Sequence, residues 1–140
     1  FVQLVSRKSL FKVDRSIIAL GVFYVVVIAV YIFFEKVVIN YRPVLIEGYL
    51  EASYPSSTTL LVLSVMPTLV FQTRRRLKGE GWKKTIALLT MVFSSAMVVG
   101  RLVSGVHWLT DIVGGVLLGG VIVALYGAAC AWLEKRGEKA

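Results

Sequence analysis

Four long stretches of the chain carry no charged residue: 16–34, 52–73, 85–100 and 112–133. Short polar or basic connections separate them. A helix of about 20 apolar residues, range about 17–25, crosses a bilayer core. The pattern therefore predicts four membrane helices in an all-α, polytopic transmembrane bundle. The first helix is placed over 16–36 and is rich in Val, Ile and aromatic residues. In water that composition would favour a strand; in lipid only a helix satisfies its own backbone. The third stretch is short, so it is expected to run past Arg101 or to cross a thinned region.

The connections carry their own signals. Residues 37–55 join the first two helices, with a turn expected at Arg42-Pro43 because proline biases the residue before it away from helix. Pro55-Ser56-Ser57-Thr58-Thr59 opens the second helix, a proline and hydroxyl start signal. Pro67 predicts a kink inside that helix. The loop 74–84 turns at Gly79 and Gly81 and sets Trp82 at the interface. The third helix is expected over 84–101, and Val103-Ser104-Gly105-Val106 forms a short connection. The fourth helix begins between Trp108 and Asp111. In it Gly114, Gly115, Gly119 and Gly120 put small residues on a face that allows close backbone approach to a neighbour.

Composition agrees with a membrane protein. Hydrophobic residues make up 57% of the chain and the mean hydropathy is +0.78, well above a soluble domain. The 140 residues form one domain at most. No small-residue cleavage site follows the first apolar run, so it reads as a membrane helix and not a signal peptide. Cys130 lies alone in the last apolar stretch and reads as a packing residue. The chain opens at Phe1, and its first fifteen residues read as the tail of an earlier helix and a connector, which implies a missing N-terminal part.

The net charge of +8 raises nucleic-acid binding, but its distribution argues against it. Of sixteen Lys and Arg residues, thirteen fall in three clusters: Arg7, Lys8, Lys12, Arg15; Arg74, Arg75, Arg76, Lys78, Lys83, Lys84; and Lys135, Arg136, Lys139. With four crossings these clusters share one side, which the positive-inside rule makes cytoplasmic. Contact with anionic headgroups accounts for them, and no nucleic-acid partner is expected. Lys36, Arg42 and Arg101 remain, all on the extracytoplasmic side, where cations are disfavoured. One reading is a shared anionic ligand. The other is pairing with Glu35, Glu47, Glu51 and Asp111, or snorkelling to headgroups.

The candidate chemistry centres on His107, the only histidine. It lies between Arg101 and Asp111, at a break between two apolar stretches. A neutral imidazole can attack phosphorus. A carboxylate one helical turn away can hold its tautomer and stabilise the charge that develops. An arginine can hold phosphate oxygens. The plain alternative is a solvated or packing histidine. The start of the second helix adds a candidate phosphate cradle, since its backbone N–H groups and dipole favour an anion and Ser56 adds a hydroxyl. The plain alternative there is an ordinary Ser/Thr cap.

Taken together these residues resemble a family signature. Lys36 with Arg42-Pro43, then Pro55-Ser56-Ser57-Thr58, then the run from Arg101 through His107 to Asp111 resemble the tripartite motif of the type 2 phosphatidic acid phosphatase superfamily. These are integral membrane lipid phosphatases that share their site with vanadium haloperoxidases. The resemblance covers about 16–133. It implies that His107 is the nucleophile, forming a phosphohistidine, and that Asp111 orients it. It implies that Lys36, Arg42, Arg101, Ser56 and the amides of Ser57 and Thr58 hold the phosphoryl group. It implies six membrane helices, of which this chain supplies the last four. Three cations and a helix N-terminus suffice for phosphoryl transfer by positioning and charge, so neither metal nor cofactor is expected. The expected partners are a lipid phosphate or diphosphate and the surrounding lipids, and a homo-oligomer stays open. The expected location is the cell membrane, with both ends of the chain cytoplasmic.

Three departures bear on activity. The Lys36–Arg42 spacing is one residue short, and Gly100 stands where the family has serine. The second motif reads Ser57-Thr58 where the family has Gly-His. That histidine is the family's general acid, and a hydroxyl cannot replace it at neutral pH. The departure points either to a leaving group that needs no proton, as in a polyprenyl diphosphate, or to a protein that binds lipid phosphate without turnover. A purely structural bundle leaves the three isolated cations unexplained.

Overall fold

The computed structural model describes residues 15–137. The expectations for the segment before residue 15, with its basic residues Arg7, Lys8 and Lys12, and for Lys139 lie outside the described residues. The rest is helical: α1 Arg15–Lys36, α2 Ser57–Arg76, α3 Glu80–Val103 and α4 Leu109–Gly137. Among the described residues there is no strand, only two isolated antiparallel bridges in the α1–α2 connection.

The expected helices are present, with α3 longer at both ends. The loop before it is correspondingly short. Gly81 lies inside α3 rather than in a turn, and Lys83 pairs with Glu80 at 2.7 Å across its first turn. Helix α2 continues through Pro67.

Three of the four helices, α1, α3 and α4, are long and apolar enough to cross a membrane. Helix α2 completes the four expected helices, with a less apolar composition. At 20 residues α2 has the length, but Ser, Thr, Pro and Gln dilute it and three arginines end it. Packing supplies the reason. Helix α2 touches each of the other three, and Thr59, Ser64 and Thr68 on it are fully buried. Hydroxyls placed between helices need not face lipid. Those of Thr59 and Thr68 bond within the bundle, while the Ser64 hydroxyl has no hydrogen-bond partner among the described residues. Thr68 donates to the Val65 carbonyl at 2.8 Å and meets the Tyr24 hydroxyl at 3.0 Å.

The apolar core joins α1, α2 and α4 through Phe23, Val27, Leu60, Ile122, Tyr126 and Cys130. Tyr126 anchors it, with ring centroids 5.1 Å from Phe23 and 5.4 Å from Phe71. Gln72 donates to the Tyr126 hydroxyl at 2.6 Å. Large side chains such as Val22, Leu89 and Leu117 point outward, as lipid-facing residues do.

The glycines of α4 divide by face. A Cβ on Gly115 would sit 3.0 Å from Thr59, and one on Gly119 would sit 3.3 Å from Leu63, whereas Gly120 meets nothing. Gly115 and Gly119 therefore bring α4 against the start of α2, and Gly114 brings it against Tyr54 just before α2, which positions everything described next.

The two ends of the bundle differ in charge. Arg76 donates to the Ser16 hydroxyl at 3.3 Å, and Arg75 pairs with Glu134. The start of α1 and the ends of α2 and α4 thus meet at one end, with Arg74, Arg75, Arg76, Lys135 and Arg136. His107 lies at the other.

Candidate active site

The α1–α2 connection is a small hairpin. Tyr41 bridges Ala52 and Ile46 bridges Tyr49. Its turn falls at Glu47-Gly48, with φ of 50° and 85°, and not at Arg42-Pro43 as expected. Positive φ at both central residues is the two-residue hairpin pattern, and glycine adopts it without a Cβ penalty. The Arg42 amide donates to the Glu51 carbonyl at 3.1 Å, and the Arg42 Nε lies 3.1 Å from Glu51 Oε2. The latter is an ion pair and not an aligned hydrogen bond. The pairing alternative is thus realised for Arg42. Even so, its Nη1 lies 3.5 Å from His107 Nε2.

His107 sits in the bend between α3 and α4. Gly105, at φ 66°, turns the chain just before it. The Trp108 indole then donates to the Tyr41 carbonyl at 2.9 Å and pins this bend to the hairpin. Asp111 occupies the first turn of α4. Its Oδ2 accepts the Trp108 amide at 2.9 Å, so the carboxylate reaches back to cap its own helix at the positive end of the dipole. Its backbone carbonyl accepts the Ser56 amide at 2.9 Å. The starts of α2 and α4 are thereby bonded to each other.

Asp111 is fully buried and His107 is 6% exposed. The direct His107 Nδ1–Asp111 Oδ2 distance is 3.7 Å, beyond a hydrogen bond. Of two residues that sequence reasoning missed, one fills the gap and the other holds the far carboxylate oxygen. Ser53 Oγ lies 3.2 Å from Nδ1 and donates to Asp111 Oδ2. Asn40 donates to Asp111 Oδ1 at 3.3 Å. No spacing rule pointed to either, because the hairpin that delivers them has no periodic pattern. A serine just ahead of a hydroxyl-rich helix start reads as more of the same cap signal.

A cavity of about 400 Å³ opens on His107. Arg42, Ser53, Ser57, Glu35 and Glu51 give it polar lining, and Tyr31, Phe34, Val38 and Leu50 give it an apolar wall. A larger apolar groove of about 620 Å³ runs between α2 and α3, lined only by apolar and hydroxyl side chains. It offers no group for phosphate chemistry.

The expected site residues fall into two groups. His107, Arg42 and Ser57 line the cavity, and Asp111 stands directly behind His107. Arg101, half-buried in the last turn of α3, acts on His107 through its charge. Ser56 does not line the cavity. It is fully buried at the N-cap position of α2, where its hydroxyl caps no backbone amide and accepts from the Thr59 hydroxyl at 3.1 Å. Thr58 and Lys36 do not line it either. Lys36 is the exposed last residue of α1.

Burial holds the His107 imidazole below its ordinary value of 6.5, and the Arg42 charge adds to this. Asp111 pulls the other way, Arg101 lowers it further, and the hydrogen bond to the Ser53 carbonyl raises it. The ring is therefore neutral at pH 7, with a nitrogen free to act as base or nucleophile.

A buried histidine backed by a carboxylate and faced by arginine thus lies at one end of a bundle in which α1, α3 and α4 are long and apolar enough to cross a membrane. The family model of the PAP2 superfamily matches residues 16–135, and the chain belongs to that superfamily. Comparison with curated proteins and with solved structures gave no match.

Proposed function

We propose that the protein is an integral membrane lipid phosphatase or diphosphatase that works through a phosphohistidine at the extracytoplasmic face. The observation that carries this reading is His107 Nε2, which lies 3.5 Å from the Arg42 guanidinium at the cavity while Nδ1 is held from behind. Nε2 attacks phosphorus and the P–O bond to the leaving group breaks. Arg42, Arg101 and the first-turn amides of α2 hold the phosphoryl oxygens. That first turn contains no acidic residue to oppose an anion. Water then cleaves the N–P bond and releases phosphate. Asp111 stabilises the cationic ring throughout.

The substrate favoured is a polyprenyl diphosphate such as undecaprenyl diphosphate. Its leaving group is a lipid monophosphate, which departs as an anion without needing a proton, whereas an alkoxide does need one. Thr58 supplies no acid, and it lies off the cavity lining. The apolar wall of Tyr31, Phe34, Val38 and Leu50 suits a hydrocarbon chain. The orientation rests on the basic end of the bundle, which the positive-inside rule assigns to the cytoplasm. The same Thr58 supports the second reading, a lipid-phosphate binder without turnover.

Phosphate release from undecaprenyl diphosphate and from phosphatidic acid, by purified protein in detergent, tests this. Release from the diphosphate that vanishes in His107→Ala supports it. Vanadate binding without release from either substrate establishes the binder instead. Thr58→His should raise turnover of phosphatidic acid, and no gain would refute the acid-deficit explanation.

A further inference from the structure

We propose that Ser53 is a positioning residue that links Asp111 to His107 and fixes the tautomer in which Nε2 is the free nitrogen. This rests on the reading of His107 as the nucleophile. Ser53 is 2% exposed, and its amide is tied to the Asn40 carbonyl at 2.8 Å, so hairpin backbone holds it in place.

Proton counting sets the direction of each bond. A carboxylate can only accept, so the single Ser53 hydroxyl proton goes to Asp111 Oδ2. Ser53 Oγ then presents lone pairs to His107 Nδ1 at 3.2 Å. The Ser53 carbonyl, which also can only accept, lies 3.2 Å from the same nitrogen. Nδ1 must therefore carry the hydrogen. In the neutral ring Nε2 is then unprotonated, and it is the nitrogen that faces Arg42.

Asp111 stands 3.7 Å from Nδ1, so its charge acts on the ring across space, and the hydroxyl adds the hydrogen-bonded link that the distance denies the carboxylate itself. When Nε2 takes a phosphoryl group the ring becomes cationic. Nδ1–H then donates more strongly to Ser53, which donates more strongly to Asp111. The charged groups acting on the ring are Asp111 from α4, Arg42 from the hairpin and Arg101 from α3, and Glu35 of α1 and Glu51 of the hairpin line the same cavity. Ser53 is the element that links Asp111 to the ring by hydrogen bonds.

His107 is the only histidine, so ¹⁵N-histidine labelling of the full chain, purified on a tag without histidine, gives one ring to observe. The wild type should show a pyrrole-like Nδ1 and a pyridine-like Nε2 once the ring is neutral. In Ser53→Ala the cationic ring loses an acceptor, so it should titrate at lower pH than wild type. In that variant kcat on undecaprenyl diphosphate should fall about 10–100-fold with KM within about threefold. Ser53→Thr keeps the hydroxyl and should recover both the titration and most of kcat. A pyridine-like Nδ1 in the wild type overturns the proposal, as does a Ser53→Ala ring that titrates as the wild type does. The spectra need no turnover. Should they behave as expected in a protein that releases no phosphate, the Ser53 linkage stands and the phosphatase reading falls.

Discussion

Asp111→Asn should separate catalysis from folding. The Asp111 carboxylate is fully buried and accepts from Ser53 Oγ, the Trp108 amide and the Asn40 amide. Hydrogen bonds to a charged acceptor contribute about 1.5–3 kcal/mol each, against about 0.5–1.5 for neutral ones. Neutralising the acceptor at three contacts therefore costs roughly 3 kcal/mol in all. Removing a buried charge relieves a desolvation penalty of several kcal/mol, which offsets much of that cost. The net loss of stability should stay under about 2 kcal/mol, because the amide keeps the shape and one acceptor oxygen. Catalysis gains no such offset. The charge that stabilises the cationic phosphohistidine is gone, and kcat should drop about 10²–10⁴-fold, or roughly 2.7–5.4 kcal/mol of barrier. Asp111→Ala should lose comparable activity and about 3–5 kcal/mol of stability, since it leaves buried donors without an acceptor. Thermal unfolding in detergent and phosphate release from undecaprenyl diphosphate measure the two quantities on one preparation. An Asp111→Asn protein with kcat within tenfold of wild type would refute the assignment of charge stabilisation to this carboxylate.

Two further predictions concern the cation and the glycine face. Because burial and the Arg42 charge both lower the His107 pKa, the acidic limb of kcat/KM should lie below 6.5, the ordinary histidine value. Arg42→Gln removes one of those causes and should move the limb upward while raising KM; a limb that moves down would contradict the electrostatic account. Gly114→Ala places a Cβ 2.6 Å from Tyr54 Cζ. Tyr54 adjoins Ser53, so overpacking of about 1–3 kcal/mol should lower both the unfolding temperature and kcat. Gly120→Ala meets no neighbour and should be neutral or stabilising by up to about 1 kcal/mol. Equal effects at both positions would show that α4 does not pack on the start of α2 through this face.

Charge-free stretches marked α1, α3 and α4 because a lipid-facing helix must be apolar along its whole length, and that requirement is written residue by residue. The same rule marked α2, although Ser and Thr lower its hydropathy. Thr59, Ser64 and Thr68 are tolerated there because they are buried between the helices. The turn at Glu47-Gly48 was obscured. Arg42-Pro43 is the stronger local signal, but the cross-chain pairing of Tyr41 with Ala52 decides where the chain reverses.

For the site, His107 and Asp111 were legible as close neighbours in sequence, although His107 falls in the bend before α4 and not on the helix itself, and Arg101 because of its place beside them. Arg42 stood out as a cation on the disfavoured side, but its pairing with Glu51 and its approach to Nε2 depend on the hairpin. Ser56 looked like a ligand and is buried at the start of α2, off the cavity lining, because the Asp111 carbonyl takes its amide and Gly115 admits α4 against its backbone. Ser53 and Asn40 carried no signal at all. The sequence by itself determined the long apolar helices, the family and the candidate histidine, since each rests on short-range spacing or local composition. Only the tertiary structure decided that a hydroxyl stands between the carboxylate and the ring, because that contact joins residues 54 and 58 positions apart, and separations of that size have no periodicity to read.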